Sequence, residues 1–565
     1  MKRAFCVLLV DLLFASSTYA QYVTPSVLSP SDIQNYRAIF AAQENGELSK
    51  ADALIAKLSD KTLLGYVQHQ RYMGRHYITK FHELSTWLSE YPDHFEANRI
   101  YNLALRKKAE GARNPRSPAR ARWRGERFDE EAAENAALIS NRSVRVMRQL
   151  RNFAGNNDAV GAENTVKQLS GSSNLPSDDV DHLYSYVASA YLAQALDEDA
   201  RRVAEAELSS GSAAAVRLHW TAGLASYRIG DFKSAARHFE EMAQLGADSA
   251  RDSATGAFWA ARAHMRAQNP APVLSLYASA GGNDFTFYGT LAARVVGRKT
   301  NIVFEEPRLD QYPYTRLTEN AAVRRAIALW QVGRNEAVET ELGRGFGETN
   351  SSLDPAFAAL ARILGTPGLE LRAAETAARR GIFLTSLYPV PPYEPVGGYR
   401  FDQAIVLAVA RQESRFNPDA RSRAGARGLM QIMPTTAAYI TKDPSLARGN
   451  REKLNDPSYS MRLGEDYLLE LLERQNGNLF SLTAAYNAGL GNLSRWLAQQ
   501  EGNNDPVLFI ESLPSPETRD YVKRVMVNIW MYQQRFGSPT LGIDEAASGN
   551  WPIYKLREEI AAIAR

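Results

Sequence analysis

Three prolines within four positions, Pro389, Pro391 and Pro392, cut this chain into two unequal parts. Proline cannot donate the helical hydrogen bond and its ring clashes with the preceding turn, so no helix runs through this stretch. The surrounding segment, SLYPVPPYEPVGGYRFD (386–402), is rich in Pro, Gly and Tyr and is expected to be the linker into a last domain. From about Ser29 to about Ala377 the pattern is different. Ala, Leu, Arg and Glu dominate, and apolar residues recur three and four apart, as in amphipathic helices. With 565 residues the chain is too long for one core, so two to four domains are expected.

Within the helical region two segments look related. HWTAGLASYRIGDFKSAARHFEEMA starts at His219 and FWAARAHMRAQNPAPVLSLYASA at Phe258. Each offers a Trp (Trp220, Trp259), small residues, a polar turn and a second amphipathic stretch. Tyr227, Gly230, Ala236 and Phe239 have the spacing of a helix–turn–helix repeat and resemble tetratricopeptide units, without a strict period. A degenerate helical superhelix is expected, with a compact bundle as the alternative. The segment Arg106–Arg127 holds nine basic and two acidic residues and reads either as a solvated loop or as a contact for an anionic polymer or surface.

The first 20 residues combine Lys2 and Arg3, an apolar run interrupted by Asp11, and small residues Thr18 and Ala20 before a cleavage point; they are expected to be a signal peptide. Cys6 is the only cysteine, so cleavage after Ala20 would remove cysteine chemistry and disulfides altogether. No later segment is apolar enough for an integral membrane span, and export points to the periplasm. The formal net charge of +3 does not suit a dedicated nucleic-acid binder.

Chemistry in the last domain is bounded by what it lacks. All eight histidines lie at or before His264, which removes Ser–His and Cys–His nucleophile systems and His/Cys zinc sites from this domain. No phosphate-loop motif is present. Carboxylates, Tyr, Lys and Arg remain. In QAIVLAVARQESRF, Ile405, Val409 and Glu413 fall four apart on one helical face, with Val406 and Ala410 beside it. A carboxylate on an apolar stripe in a helix's last turn is desolvated and faces the negative dipole end, and both effects raise its pKa. Asn417-Pro418 is expected to end that helix. Glu413 is therefore a candidate general acid; the plain alternatives are an exposed Glu or one paired with Arg411 or Arg415.

The stretch ESRFNPDARSRAGARGLMQIMPTTA, beginning at Glu413, resembles the active-site segment of lytic transglycosylases with a goose-lysozyme-like catalytic domain. Glu413-Ser414, Gly425-Ala426, Gly428-Leu429-Met430-Gln431 and Met433-Pro434 carry the likeness. LNDPSYSMRLGEDYL (454–468), AAYNAGLGNLSRW (484–496) and IESLPSPETRDYVKRV (510–525) follow in the family's order, with Leu490 where Pro is common and Ser460 where Asn is frequent. The long helical region is similar in kind to that of the soluble members. The resemblance implies a mainly α fold: an N-terminal α-superhelix, a U-shaped or ring-like set of helical hairpins, followed by a lysozyme-like catalytic domain with a small β part. The implied division is a signal peptide (1–20), a superhelical domain (21–310), a helical linker domain (311–390), a catalytic domain (391–540) and a C-terminal tail (541–565).

The same resemblance implies a reaction. The substrate would be the β-1,4 bond between N-acetylmuramic acid and N-acetylglucosamine in peptidoglycan glycan strands. Glu413 would protonate the leaving oxygen and then take the proton of the muramoyl C6 hydroxyl, giving a 1,6-anhydro product in cell-wall turnover without cofactor or metal. Ser422, Gln431, Tyr486 and Glu517 fall on the family's substrate-positioning residues, with Met430, Asn487 and Tyr521 expected to line the cleft. Asp419, Asp456, Glu511 and Glu517 are second carboxylates by type alone, and Asp456 before Pro457 also suits a helix cap. A hydrolase with a water-activating carboxylate and a non-catalytic periplasmic scaffold are the competing functions.

Overall fold

The structure is a computed structural model that describes residues 23–120, 138, 140–171, 175–208, 214–298, 304–499 and 504–554. The expected signal peptide and the basic positions 121–127 lie outside them. The chain is mainly helical. Its β content among the described residues is limited to isolated bridges, such as Arg421 with Arg427 and Arg427 with Ile432. None of the described helices is long and apolar enough to cross a membrane.

Two compact units form, each from two separated stretches: residues up to 125 with 304–389, and 126–303 with 390 onward. In the first unit the opening helix, Pro30–Glu44, is capped by Ser29, and the Gln331 side chain accepts the backbone N–H groups of Val27 and Leu28. Arg325 reaches Asp93 at 2.6 Å and buried Glu341 at 2.9 Å, and the Tyr66 hydroxyl donates to Glu341 at 2.6 Å. Sequence-distant halves are thus joined by polar groups that would each be costly to leave unpaired.

In the second unit consecutive helices pack as hairpins. Ala215–Arg228 turns into Phe232–Leu245, and Ala250–Arg266 lies against the latter. The two tryptophans of the related segments meet edge-on, with Trp220 and Trp259 centroids 6.1 Å apart and Phe239 against both. The last hairpin helix, Phe287–Val295, presents Phe287 to Phe480 and Trp530 and Tyr288 to Glu511. Hairpins and last domain therefore share one apolar core in this unit. Arg262 with Asp505 and Arg294 with Asp544 add ion pairs along the same seam.

The entry to the last domain is pinned by one buried carboxylate. Glu465 accepts the backbone N–H groups of Arg400 and Phe401 at 2.7 and 2.8 Å and pairs with Arg462. The chain after Phe536 folds back: Leu479 N–H donates to Pro552 and Tyr554 N–H to Gly477, while Trp551 packs on Phe509. Phe287→Ala should cost about 3–5 kcal/mol, the range for deleting a buried aromatic. Denaturant unfolding followed by tryptophan fluorescence measures it; a loss under about 1 kcal/mol would show that this seam contributes little.

Candidate active site

Helix Gln403–Ser414 starts at Asp402, whose side chain accepts the Ala404 N–H at 2.8 Å. Ile405, Val406, Val409 and Ala410 are fully buried, so the apolar stripe leading to Glu413 is packed along its length. The helix ends earlier than Asn417-Pro418 predicts. Arg415 (φ 54°) and Phe416 (φ 64°) both adopt the left-handed conformation directly after Ser414, and the Phe416 side chain is buried. Burial of that ring stabilises a backbone region that costs non-glycine residues about 1–3 kcal/mol. The turn leaves Glu413 in the last helical turn, at the mouth of the loop.

The long helix Pro516–Arg535 packs against Gln403–Ser414 and brings the second part of the site. Its Tyr521 hydroxyl donates to Glu413 Oε1 at 2.6 Å. Burial pushes the Glu413 carboxyl up to about 7; the Tyr521 bond opposes this shift and the nearby Glu517 charge adds to it. Arg411, on the same helical turn as Glu413, donates to Asn528 at 2.9 Å. Burial also raises the Tyr521 and Tyr486 phenols well above their ordinary value, so both stay protonated donors.

The loop after Glu413 is held by its own polar groups. Exposed Ser422 accepts the Ala426 N–H at 3.0 Å, closing a tight turn. Gln431, itself at φ 45°, donates its amide to the carbonyls of Ala420 and Gly428 at 3.0 and 2.8 Å. Gly428 is required here: at φ 74° any Cβ would sit 2.0 Å from the Leu454 carbonyl. Met430 is fully buried and packs on Gly464, so it offers the site its backbone carbonyl, which accepts the Tyr486 hydroxyl at 2.8 Å.

Asn487 donates to Glu517 at 3.3 Å and accepts from Thr518 at 2.7 Å, which fixes the orientation of the amide. The other carboxylates have different employment. Asp456 caps helix Pro457–Arg474 through the Tyr459 N–H, exposed Asp419 accepts from Asn455, and buried Glu511 is held by Tyr288 and Lys523. The supporting roles of three residues, one of them the Ser460 noted above only as a departure from the family's pattern, escaped the sequence reading. Tyr467 packs on Tyr486 with centroids 5.4 Å apart, Ser460 accepts the Met430 N–H at 3.2 Å, and Thr518 orients Asn487. All three sit inside motif blocks, where position relative to Met430 and Asn487 was the available signal. No group of three or more His, Cys, Asp or Glu among the described residues could hold a metal ion.

A family model described as Transglycosylase SLT domain matches residues 394–509. The likeness to this family is carried by that stretch, which begins just after the proline cluster. The soluble lytic murein transglycosylase of Escherichia coli K12 is 40% identical over 146 residues, 26% of this chain and 23% of that protein. A putative soluble lytic murein transglycosylase of Haemophilus influenzae is 37% identical over 131 residues, 23% of this chain and 22% of that protein. The chain's sequence match thus spans less than a quarter of the length of these relatives. The fold likeness reaches further. The 70 kDa soluble lytic transglycosylase of Escherichia coli superposes with a TM-score of 0.66 at 18% identity, covering 93% of this chain and 99% of that one. A lytic transglycosylase from Pseudomonas aeruginosa gives 0.52 at 20% identity, covering 92% and 80%. The described residues therefore have a fold of the same kind, helical hairpins followed by a lysozyme-like domain.

An acid whose folded pKa exceeds its unfolded value destabilises the fold wherever the unfolded chain is ionised. For Glu413 that penalty is absent below about pH 4.5, grows towards about pH 7 and is full above it. At about 1.4 kcal/mol per unit it is on the order of 3 kcal/mol. Glu413→Gln should therefore raise the melting temperature at pH 8 and leave it nearly unchanged at pH 4; equal effects at both would contradict the placement of the carboxyl. Tyr521→Phe, which removes a bond to the charged form, should move the Glu413 titration upward in carboxyl carbon NMR.

Proposed function

We propose that this chain is a lytic transglycosylase of peptidoglycan, with Glu413 as its general acid and then its base. The observation that carries the reading is a carboxyl held by one neutral donor, Tyr521, and raised by burial to about 7 within an SLT domain. Near neutral pH such a group exchanges its proton readily in both directions, as acid–base catalysis by one residue requires. In the first step Glu413 gives its proton to the glycosidic oxygen as the bond from muramoyl C1 to that oxygen breaks. In the second, the C6 hydroxyl of the same sugar bonds to C1 and its proton goes to the Glu413 carboxylate. Atoms balance without water: one chain keeps a free hydroxyl, the other ends in a 1,6-anhydro ring, and Glu413 regains its starting state.

The surrounding residues have roles consistent with this. Tyr521 steadies the carboxylate between the steps. Ser422 and the Gln431 carbonyl oxygen are offered to the glycan from the loop, which Met430 anchors. Tyr486 and Asn487 border the reacting sugar, and Glu517 supplies a negative field for the cationic centre at C1. A periplasmic enzyme of cell-wall turnover is the biological reading; the soluble lytic murein transglycosylases named above support it.

Glu517 also favours a second reading. It is the carboxylate whose charge acts on Glu413, and an inverting hydrolase needs such a group to activate water. Product masses separate the two: the transglycosylase releases anhydro-ended fragments, each lighter by one water than the hydrolytic product. Mass spectrometry of digested cell wall should show the lighter series, and release should decline as pH rises through about 7 with loss of the Glu413 proton. In the Pseudomonas aeruginosa protein an inactive mutant replaces Glu by Gln. Glu413→Gln should likewise reduce release here by at least about 10³-fold; undiminished release would remove Glu413 from the mechanism.

A further inference from the structure

On the far side of helix Pro516–Arg535 from Glu413, the hairpin helices leave a cavity of about 470 Å³. Its lining includes Pro516, Arg519, Asp520 and Lys523, and not the Glu517 and Tyr521 that serve the cleft. The opposite wall comes from the hairpins, through His182, Arg217, Arg251 and Asp252. Its volume lies in the usual range for small-molecule sites.

Charge pairing inside this cavity is incomplete in a particular way. Arg251 is closed on Asp520 at 2.5 Å and Lys523 on Glu511 at 2.8 Å, and Arg519 donates to the Leu513 carbonyl. One cation and one anion are left over. The Arg217 guanidinium and the Asp252 carboxylate have no hydrogen-bond or ion-pair partner among the described residues and do not pair with each other; Asp252 acts on Arg251 only as a nearby charge, while Arg251 is closed on Asp520. Both are partly buried. His182 stands beside Arg217, and burial first and the Arg217 charge second lower its pKa, so its ring remains a neutral donor and acceptor. Opposite charges that share a cavity without touching are both satisfied by a ligand that carries both signs.

We infer that this cavity is a ligand site, separate from the Glu413 cleft, for a short peptide with free ends. The carboxylate end lies on Arg217 and His182, and the ammonium end on Asp252. The inference does not depend on the reaction proposed for Glu413. Simple anions are poor candidates, because Asp252 would repel them and gain no partner.

Calorimetric titration of the full chain with alanine and with alanine peptides of two to four residues tests this. At least one peptide should saturate a single site with a Kd of about 1 mM or below. N-acetylating or amidating that peptide should weaken it by about tenfold or more. Arg217→Gln and Asp252→Asn should each do the same with unchanged circular dichroism, Arg217→Lys should retain part of the affinity, and Glu413→Gln should leave it intact. Absence of saturable binding at every length overturns the inference. So does equal binding of acetate alone, survival of binding in both charge variants, or loss of binding in Glu413→Gln, which would put the peptide in the cleft.

Discussion

A hydrogen bond between two helices holds the carboxyl on which the proposed chemistry depends. Tyr521 meets Glu413 at 2.6 Å only while Pro516–Arg535 and Gln403–Ser414 keep their register. A shift of one residue would turn a side chain about 100° around the helix and break the bond. The rest of the second unit maintains that register. Arg251 holds Asp520, the residue before Tyr521, and Phe287 stacks on Trp530, about two and a half turns further along. Tyr288 and Lys523 converge on Glu511 just ahead of the helix. The helical hairpins therefore contribute to the site without entering it.

The electrostatics follow from the same arrangement. A carboxyl facing a phenol rather than a guanidinium keeps its proton near neutral pH, because the phenol stabilises the anion less than burial opposes it. Had Arg411 turned towards Glu413, the carboxyl would be a permanent anion and useless as an acid. Arg411 gives one of its guanidinium N–H groups to Asn528. The left-handed turn at Arg415 and Phe416 belongs to the same design, since it carries the chain away before the next residues can cover the carboxyl.

Much of this was legible in the sequence. The 3.6-residue period predicted the helices, the proline cluster marked entry to the last domain, and the four-residue spacing of Ile405, Val409 and Glu413 placed the acid on its stripe. Pairings across long separations were not legible. Nothing local tells Tyr521 to face Glu413, more than one hundred positions away, or Gln431 to spend its amide on its own loop. The helix end was misplaced because Asn417-Pro418 is a strong local stop, whereas burial of the Phe416 ring imposed an earlier one. The two compact units interleave along the chain, and composition, which is read linearly, carries no trace of that.

The seam at Phe287 has a consequence for how such a domain travels between proteins. Similarity outlines residues 394–509 as a domain of its own, yet Phe480 and Trp530 are covered by a residue more than one hundred positions upstream. Cut out at the linker, the domain would carry a bare aromatic patch and a buried Glu511 stripped of Tyr288. In this chain that segment is captive in the folded molecule, and any grafting of it onto another scaffold must replace the surface that the last hairpin helix supplies.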